Sequence, residues 1–281
     1  MKIGIIGYGF VGKALASSFN NKVNLLCIDP KVGNDIVDLS KFNPDIIFVC
    51  VPTPMIDDGN QDLTILKNVV NDLNEKCSDK LVVIKSSVTP NHIKDLARSI
   101  KRFVYNPEFL REKSASEDFI NSSLIIFGGD IKHCKELGRF YNNYTKCLHK
   151  EYTYTDAISA SLVKYSINSY LATKVTFFNE LNTIFEKSGT NESWLGFINI
   201  LNKDIRVGSS HMDVPGHDGR KGFGGACFPK DTQAFLKFSE ALGSSFNLLK
   251  STININNKIR SSYNDVVERE KEQNIKFGDS Q

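Results

Sequence analysis

The 281-residue sequence has no apolar run approaching the length of a membrane span, and its first residues read as a strand rather than as a signal peptide. A cytoplasmic protein is the expectation. The chain also lacks any Cys-x-x-Cys pair. Cys27, Cys50, Cys77, Cys134, Cys147 and Cys227 stand apart, and Cys27 and Cys50 sit inside apolar strand-like runs, which argues against structural zinc and against a disulfide framework. His92, His133, His149, His211 and His217 show no ligand spacing, so no metal is expected. There is no long basic block, and 35 basic against 32 acidic residues leave a net charge of +3, so neither nucleic acid nor a membrane surface is an expected partner. Internal repeats are missing too. What is present, 41% hydrophobic and 24% charged residues, is the balance of a globular chain of one large or two ordinary domains.

The run Lys2 to Gly7 breaks into Gly7-Tyr8-Gly9-Phe10-Val11-Gly12 and then a helical pattern through Phe19. The first glycine permits a tight turn, the second lets the backbone meet a pyrophosphate, and the third brings helix and strand together, so that a phosphate rests on the exposed N–H groups around Phe10 and Val11. A second strand, Asn24 to Asp29, ends in an acid twenty-two residues after Gly7, where a ribose-binding carboxylate belongs. Asp29 favours NAD over NADP because it repels a 2′-phosphate; Lys31 nearby weighs the other way. An α/β domain whose glycines serve packing alone is the competing reading.

The alternation continues. Asp45 to Val51 reads as a strand buried on both faces and stops at Pro52-Thr53-Pro54, which makes Thr53 either a cofactor contact or plain turn chemistry. Asp62 to Glu75 and Pro90 to Ile100 read as helices, and Leu81 to Ser87 as a strand that brings Ser86 and Ser87 to the sheet's carboxyl edge. After a strand over Arg102 to Tyr105, Asn106 is a good N-cap and Pro107 a good first helical residue. A helix there sets Glu108 and Glu112 on one face, where mutual repulsion suits one of them to act as a base. Taken alone, the two acids are more plainly a solvated face with capping acids. A strand, Leu124 to Asp130, and a helix, Lys132 to Tyr144, complete a nucleotide-binding domain over 1–150 with a mostly parallel sheet.

From Asp156 through Ser188 there is neither Gly nor Pro, which predicts a long helix and a second, helical domain over 151–263. Lys164 and Asn168, one turn apart, share a face of that helix, although Lys174 and Lys187 look no different. Trp194 to Asn202 reads as a short helix, followed by the turn Arg206-Val207-Gly208 and a loop whose Arg220 and Lys221 are either pyrophosphate ligands or solvated charges. Then comes Gly222-Phe223-Gly224-Gly225-Ala226-Cys227-Phe228-Pro229-Lys230-Asp231. A cysteine after three glycines and beside a lysine reads as a nucleophile's seat, with Lys230 favouring the thiolate and Asp231 holding a water; a small buried cysteine in a Gly-rich turn is the plainer alternative. Helices to about Leu242 and from Asn247 to Tyr263 follow. Residues 264–281 form a polar tail without an apolar face, expected to be frayed.

Taken together, GYGFVG, VPTP, KSSVTP, NPEFLRE, VKYSIN, the Arg206-Val207-Gly208 turn and GFGGACFPKD, in that order, resemble the UDP-glucose/GDP-mannose dehydrogenase family from residue 2 to about residue 260. The resemblance implies a Rossmann-type NAD-binding domain followed by a central helical domain like the C-terminal domain of 6-phosphogluconate dehydrogenase. It also implies oxidation of the C6 alcohol of a nucleotide sugar to a carboxylate by two NAD, without release of the aldehyde. By position, Cys227 resembles the nucleophile, Asp231 the residue ordering water, Lys164 the oxyanion-stabilising ammonium with Asn168 beside it, and Glu108 the base for thioester hydrolysis. Glu112 resembles the support of a water near the nicotinamide, and Ser87 stands where the family has threonine. Cofactor contacts implied are Gly7, Gly9, Phe10, Val11, Gly12, Asp29, Thr53, Ser87, Glu112 and Lys230. Substrate contacts implied are Glu108, Phe109, Leu110, Lys164, Arg206, Gly224 and Gly225. Arg206 resembles an arginine reaching the neighbouring subunit, which implies a homodimer through the helical domain. The family continues into a further Rossmann-like domain where this sequence ends, so the nucleotide base is expected to be held loosely. A two-electron alcohol or hydroxyacid dehydrogenase and a non-catalytic NAD-binding subunit remain the alternatives.

Overall fold

The computed structural model describes residues 1–278, apart from the side chain of Glu112. The chain divides into two compact units: Met1–Thr53 with Gln61–Lys164, and Pro54–Asn60 with the chain from Tyr165 on. The first unit therefore runs past residue 150 to Lys164.

In the first unit, β1 (Lys2–Ile6), α1 (Phe10–Ser18), β2 (Asn24–Ile28), α2 (Ile36–Phe42), β3 (Ile46–Val49), α3 (Thr64–Lys76), β4 (Leu81–Ile84), α4 (Pro90–Ser99) and β5 (Phe103–Tyr105) alternate. A 3-10 turn (Glu112–Ser114), α5 (Ala115–Asn121), β6 (Ile126–Gly129), α6 (Ile131–Tyr144) and β7 (Thr153–Thr155) follow. The sheet order is β2-β1-β3-β4-β5-β6-β7, parallel throughout except for the antiparallel pair β5 and β6. Because β2 and β3 flank β1 on opposite sides, the chain reverses direction across the sheet there, and the crevice of a doubly wound fold opens at the carboxyl ends of β1 and β3.

The near-continuous apolar runs of β3 and β4 are buried at every position, as strands covered on both faces require. Their side chains alternate between two cores: Ile47, Val49, Val82 and Ile84 join one, and Ile46, Phe48, Leu81 and Val83 the other. Each side chain so buried contributes roughly 1.5–3 kcal/mol, which is ample for four-residue strands.

The helix α7 (Ala157–Lys187) begins in the first unit and continues into the second, where α8 (Trp194–Leu201), α9 (Phe228–Ala241), α10 (Asn247–Arg260) and α11 (Glu268–Glu272) follow. Tyr165, Phe235, Leu249 and Ile253 form one core of the second unit and Phe178, Ile198 and Met212 another.

Two expectations are corrected. No helix starts at Pro107; residues 106–111 are irregular, and the Asn106 side chain is engaged in the core instead of capping. The tail is not frayed over its described part. Glu270 and Ile275 are buried, and Asn274 donates to the Met55 carbonyl at 3.0 Å. The strand β7 and the helix α2 were not legible in the sequence pattern, being short and, in β7, edge-exposed.

Candidate active site

In the first unit the turn between β1 and α1 behaves as its glycines require. Gly7 has φ +89° and its N–H donates to the Ile28 carbonyl at 2.8 Å; a Cβ there would overlap the Cys50 backbone. A Cβ on Gly12 would overlap the Gly7 carbonyl oxygen, so α1 packs against the turn only with glycine at that position. Above Gly9 the space is open, and no side chain caps the N-terminus of α1, so its first N–H groups at Phe10 and Val11 remain for an anion. Asp29, half-buried just past β2, accepts from the Tyr8 N–H at 2.8 Å and the Lys31 N–H at 2.9 Å, which fixes its carboxylate beside the glycine turn. These residues fit a dinucleotide: an uncapped helix terminus, an uncluttered approach and a carboxylate.

Thr53 is buried and its hydroxyl donates to the Ser87 carbonyl at 2.8 Å, which Gln61 also meets at 3.0 Å. Ser86 donates to the Val51 carbonyl at 2.6 Å. The two loops at the carboxyl edge are thus stapled to each other, and Thr53 has a structural bond whatever else it touches.

Glu108 and Lys164 meet. The Lys164 ammonium donates to the Glu108 carbonyl at 2.6 Å and to Oε1 at 3.1 Å, and it lies 5.3 Å from the Phe109 ring centroid. Both side chains are buried, and Glu108 Oε2 accepts from the Leu110 N–H at 2.7 Å. The segment holding Glu108, Phe109 and Leu110 is set by Asn106, which receives Lys85 at Oδ1 (2.9 Å) and Tyr141 at the same oxygen (2.6 Å) and donates to the Ile126 carbonyl (3.0 Å). Burial pushes the Lys85 ammonium down to about 8, against the pull of Cys50 and Glu108. In the sequence the one mark of Lys85 is that a lysine closes an apolar strand. Glu112 opens the 3-10 turn, and its side chain lies outside the described residues.

In the second unit Cys227 is the N-cap of α9, half-buried, with Pro229 in the first turn. A thiol at a helix N-terminus feels the positive end of the dipole, which favours the thiolate. One turn on, the Cys227 carbonyl receives the Asp231 N–H at 2.9 Å. Asp231 is fully buried: Asn168 donates to its Oδ2 at 2.6 Å, and the Lys230 ammonium bonds to its Oδ1. Lys230 is therefore engaged by Asp231.

Gly224 and Gly225 belong to a loop held from several sides. The Gly222 N–H donates to Asn179 Oδ1 (2.9 Å), the Phe223 N–H to Asn256 Oδ1 (2.6 Å), and the Gly225 N–H to Glu270 Oε1 (2.9 Å). Arg206 is exposed and paired with Asp204. Its turn is gripped by Lys174, whose ammonium donates to the Val207 carbonyl at 3.0 Å and the Gly208 carbonyl at 2.9 Å, although in the residue pattern Lys174 looks like any surface lysine. Arg220 is bound to the Asp265 carboxylate and Lys221 to Asn182 and Glu186, so both proposed pyrophosphate ligands already have partners. Among the described residues no group of three His, Cys, Asp or Glu side chains is arranged to hold a metal ion, and no helix is long and apolar enough to cross a membrane.

Residues 31–145 match the NAD binding domain of the UDP-glucose/GDP-mannose dehydrogenase family, and residues 158–258 match its central domain. A UDP-glucose 6-dehydrogenase of Rickettsia felis is 33% identical over 238 residues, covering 80% of this chain and 50% of its own length. A UDP-glucose dehydrogenase of Pyrobaculum islandicum superposes with a TM-score of 0.77 at 26% identity, covering 92% of this chain and 68% of that one. A 3-hydroxyisobutyrate dehydrogenase of Mycobacterium tuberculosis, at 15% identity and a TM-score of 0.67, covers 94% of this chain and 95% of that one and shares the fold alone. The chain spans about half the length of the curated relatives it matches. Its first unit contains the family's NAD-binding domain, and the chain belongs to the UDP-glucose/GDP-mannose dehydrogenase family.

Proposed function

We propose that the chain oxidises the C6 alcohol of a nucleotide sugar, UDP-glucose first among them, to the carboxylate in two NAD-dependent steps through an adduct on Cys227. The observation that carries this reading is Cys227 at the N-terminus of α9 with the buried Asn168–Asp231–Lys230 cluster one turn behind it. A two-electron dehydrogenase has no use for such a cysteine.

NAD, held by Gly7, Gly9, Phe10, Val11, Gly12 and Asp29, supplies the hydride acceptor, one molecule for each oxidation. Asp29 selects it over NADP by charge. The first oxidation turns the alcohol into an aldehyde; the Cys227 thiolate adds to that carbonyl, and the resulting alkoxide is met by the Lys164 ammonium and the Asn168 amide. The thiohemiacetal alkoxide still carries a hydride on its former aldehyde carbon, and loss of that hydride in the second oxidation leaves a thioester on Cys227. Glu108 takes a proton from water as that water attacks the thioester, and collapse of the tetrahedral oxyanion releases the carboxylate and restores the thiolate. Asp231, held by Asn168 and Lys230, keeps the helix turn behind the sulfur fixed and orders the water. In the first unit Ser87, Thr53 and Glu112 are assigned to the cofactor and Phe109 and Leu110 to the sugar; in the second, Lys230, bonded to Asp231, is assigned to the cofactor and Gly224 and Gly225 to the sugar.

Arg206, exposed on its Lys174-anchored turn, reaches a substrate bound by a second copy. Tyr170, Phe177 and Ile184 recur every seven residues on α7, all more than half exposed, and offer the apolar seam for that homodimer. The protein acts in the cytoplasm.

The reading is tested with Glu108→Gln. During turnover with UDP-glucose and NAD, intact-protein mass should reveal a sugar-nucleotide adduct on Cys227; no adduct together with undiminished turnover removes Glu108 from the role of base.

A further inference from the structure

The described end of the chain lies beyond the part that resembles the family, yet it is built into the cysteine loop. Glu270 on α11 is fully buried and all its bonds are specific: Oε1 accepts from the Gly225 N–H at 2.9 Å and from Arg260 Nη2 at 2.9 Å, and Oε2 accepts from the Val267 N–H at 3.0 Å. Arg260, itself buried, spends its other arm on Asp218 at 2.7 Å and lies over the rings of Tyr263 and Phe277. A Cβ on Gly224 would overlap both the Arg260 guanidinium and the Glu270 carboxylate, so glycine loop and ion pair are fitted to each other. Burying an ion pair gains little stability over an apolar pair of the same size; its use is to fix a register. Here the register fixed is that of Gly225, two residues before Cys227.

The same segment makes a second attachment. The Met55 N–H donates to the Gln273 carbonyl at 3.1 Å, Asn274 donates to the Met55 carbonyl at 3.0 Å, and Lys276 pairs with Asp57 at 2.8 Å. Those residues follow Thr53 directly in the chain.

We propose that Glu270 is a positioning residue for Cys227, acting through the Gly225 N–H, and that residues 267–276 form a clamp that sets the glycine loop for catalysis. The proposal rests on the reading of Cys227 as the nucleophile. Removing the Gly225 bond lets the loop and its sulfur drift, and a misplacement on the order of 1 Å costs about a hundredfold in rate.

Two variants separate contact from charge. Glu270→Asp keeps the negative charge for Arg260 but withdraws the oxygen from Gly225, whereas Glu270→Gln loses the charge but keeps an acceptor within reach of that N–H. For each, the pH profile of Cys227 alkylation by iodoacetamide is followed by peptide mass, alongside turnover with UDP-glucose and NAD. The expected result is a shifted alkylation profile and a drop in kcat of about a hundredfold for Glu270→Asp, with Glu270→Gln near the parent on both. Two unchanged variants overturn the proposal, and so do two equally impaired ones, because the second outcome makes the charge rather than the Gly225 contact decisive. Alkylation needs no substrate. If Cys227→Ser instead turns over UDP-glucose at the full rate, the proposed function fails while the alkylation profiles still judge the clamp.

Discussion

Lys164 holds Glu108 twice, through its main-chain carbonyl at 2.6 Å and its carboxylate at 3.1 Å, with both side chains buried. An ammonium so placed fixes the segment that bears the carboxylate as well as the carboxylate itself. Lys164→Ala is expected to cost about 3–5 kcal/mol of stability, because it leaves a buried charge unpaired, and about 10²–10³-fold in kcat through the lost oxyanion partner. The double variant Lys164→Met, Glu108→Leu should recover most of the stability and none of the activity. Urea unfolding and steady-state turnover on the same samples check this; recovery of both would mean that the pair is only structural.

Cysteine reactivity should be strongly ordered. Burial pushes Cys50 up to about 12 and Cys134 up to about 11, and it also raises Cys27, Cys77 and Cys147. Cys227 alone of the six caps a helix N-terminus. One equivalent of iodoacetamide at pH 7.5 should therefore label Cys227 first, with loss of turnover in proportion to labelling. Peptide mapping that finds another cysteine labelled faster would deny Cys227 its thiolate.

Lys85 predicts a pH dependence of stability. Its folded value near 8 lies below the 10.5 of a free lysine, so between those values the unfolded chain binds a proton that the folded chain has released. Stability thus rises with pH across that window, and the gain is lost as pH falls through 8. The stability of the parent relative to Lys85→Met should increase from pH 7.5 to pH 10.5 by at most about 3 kcal/mol. A flat difference across that range would mean that Lys85 titrates as an exposed lysine does.

What could be read in advance follows the range of the interactions involved. The glycine turn and Asp29 are close in sequence and tied by spacing, and β3 and β4 announce their double burial through composition. Asn106 misled because capping is a local inference. Its side chain is claimed by Lys85, Tyr141 and the Ile126 carbonyl, all remote in sequence. The tail misled for the same reason: Glu270 looks like any acid in a polar stretch until Arg260 and Gly225 are brought to it. Lys174 differs from a surface lysine only by the two carbonyls it meets. Periodicity finds elements, but it cannot find the partner of a buried charge.

The most direct measurement is the number of NADH formed per UDP-glucose consumed by the purified chain. Two NADH, with UDP-glucuronate as the product and no free aldehyde, is the predicted result, because only an adduct on Cys227 keeps the half-oxidised sugar in place for a second oxidation. One NADH per sugar, with the aldehyde released, would contradict the account.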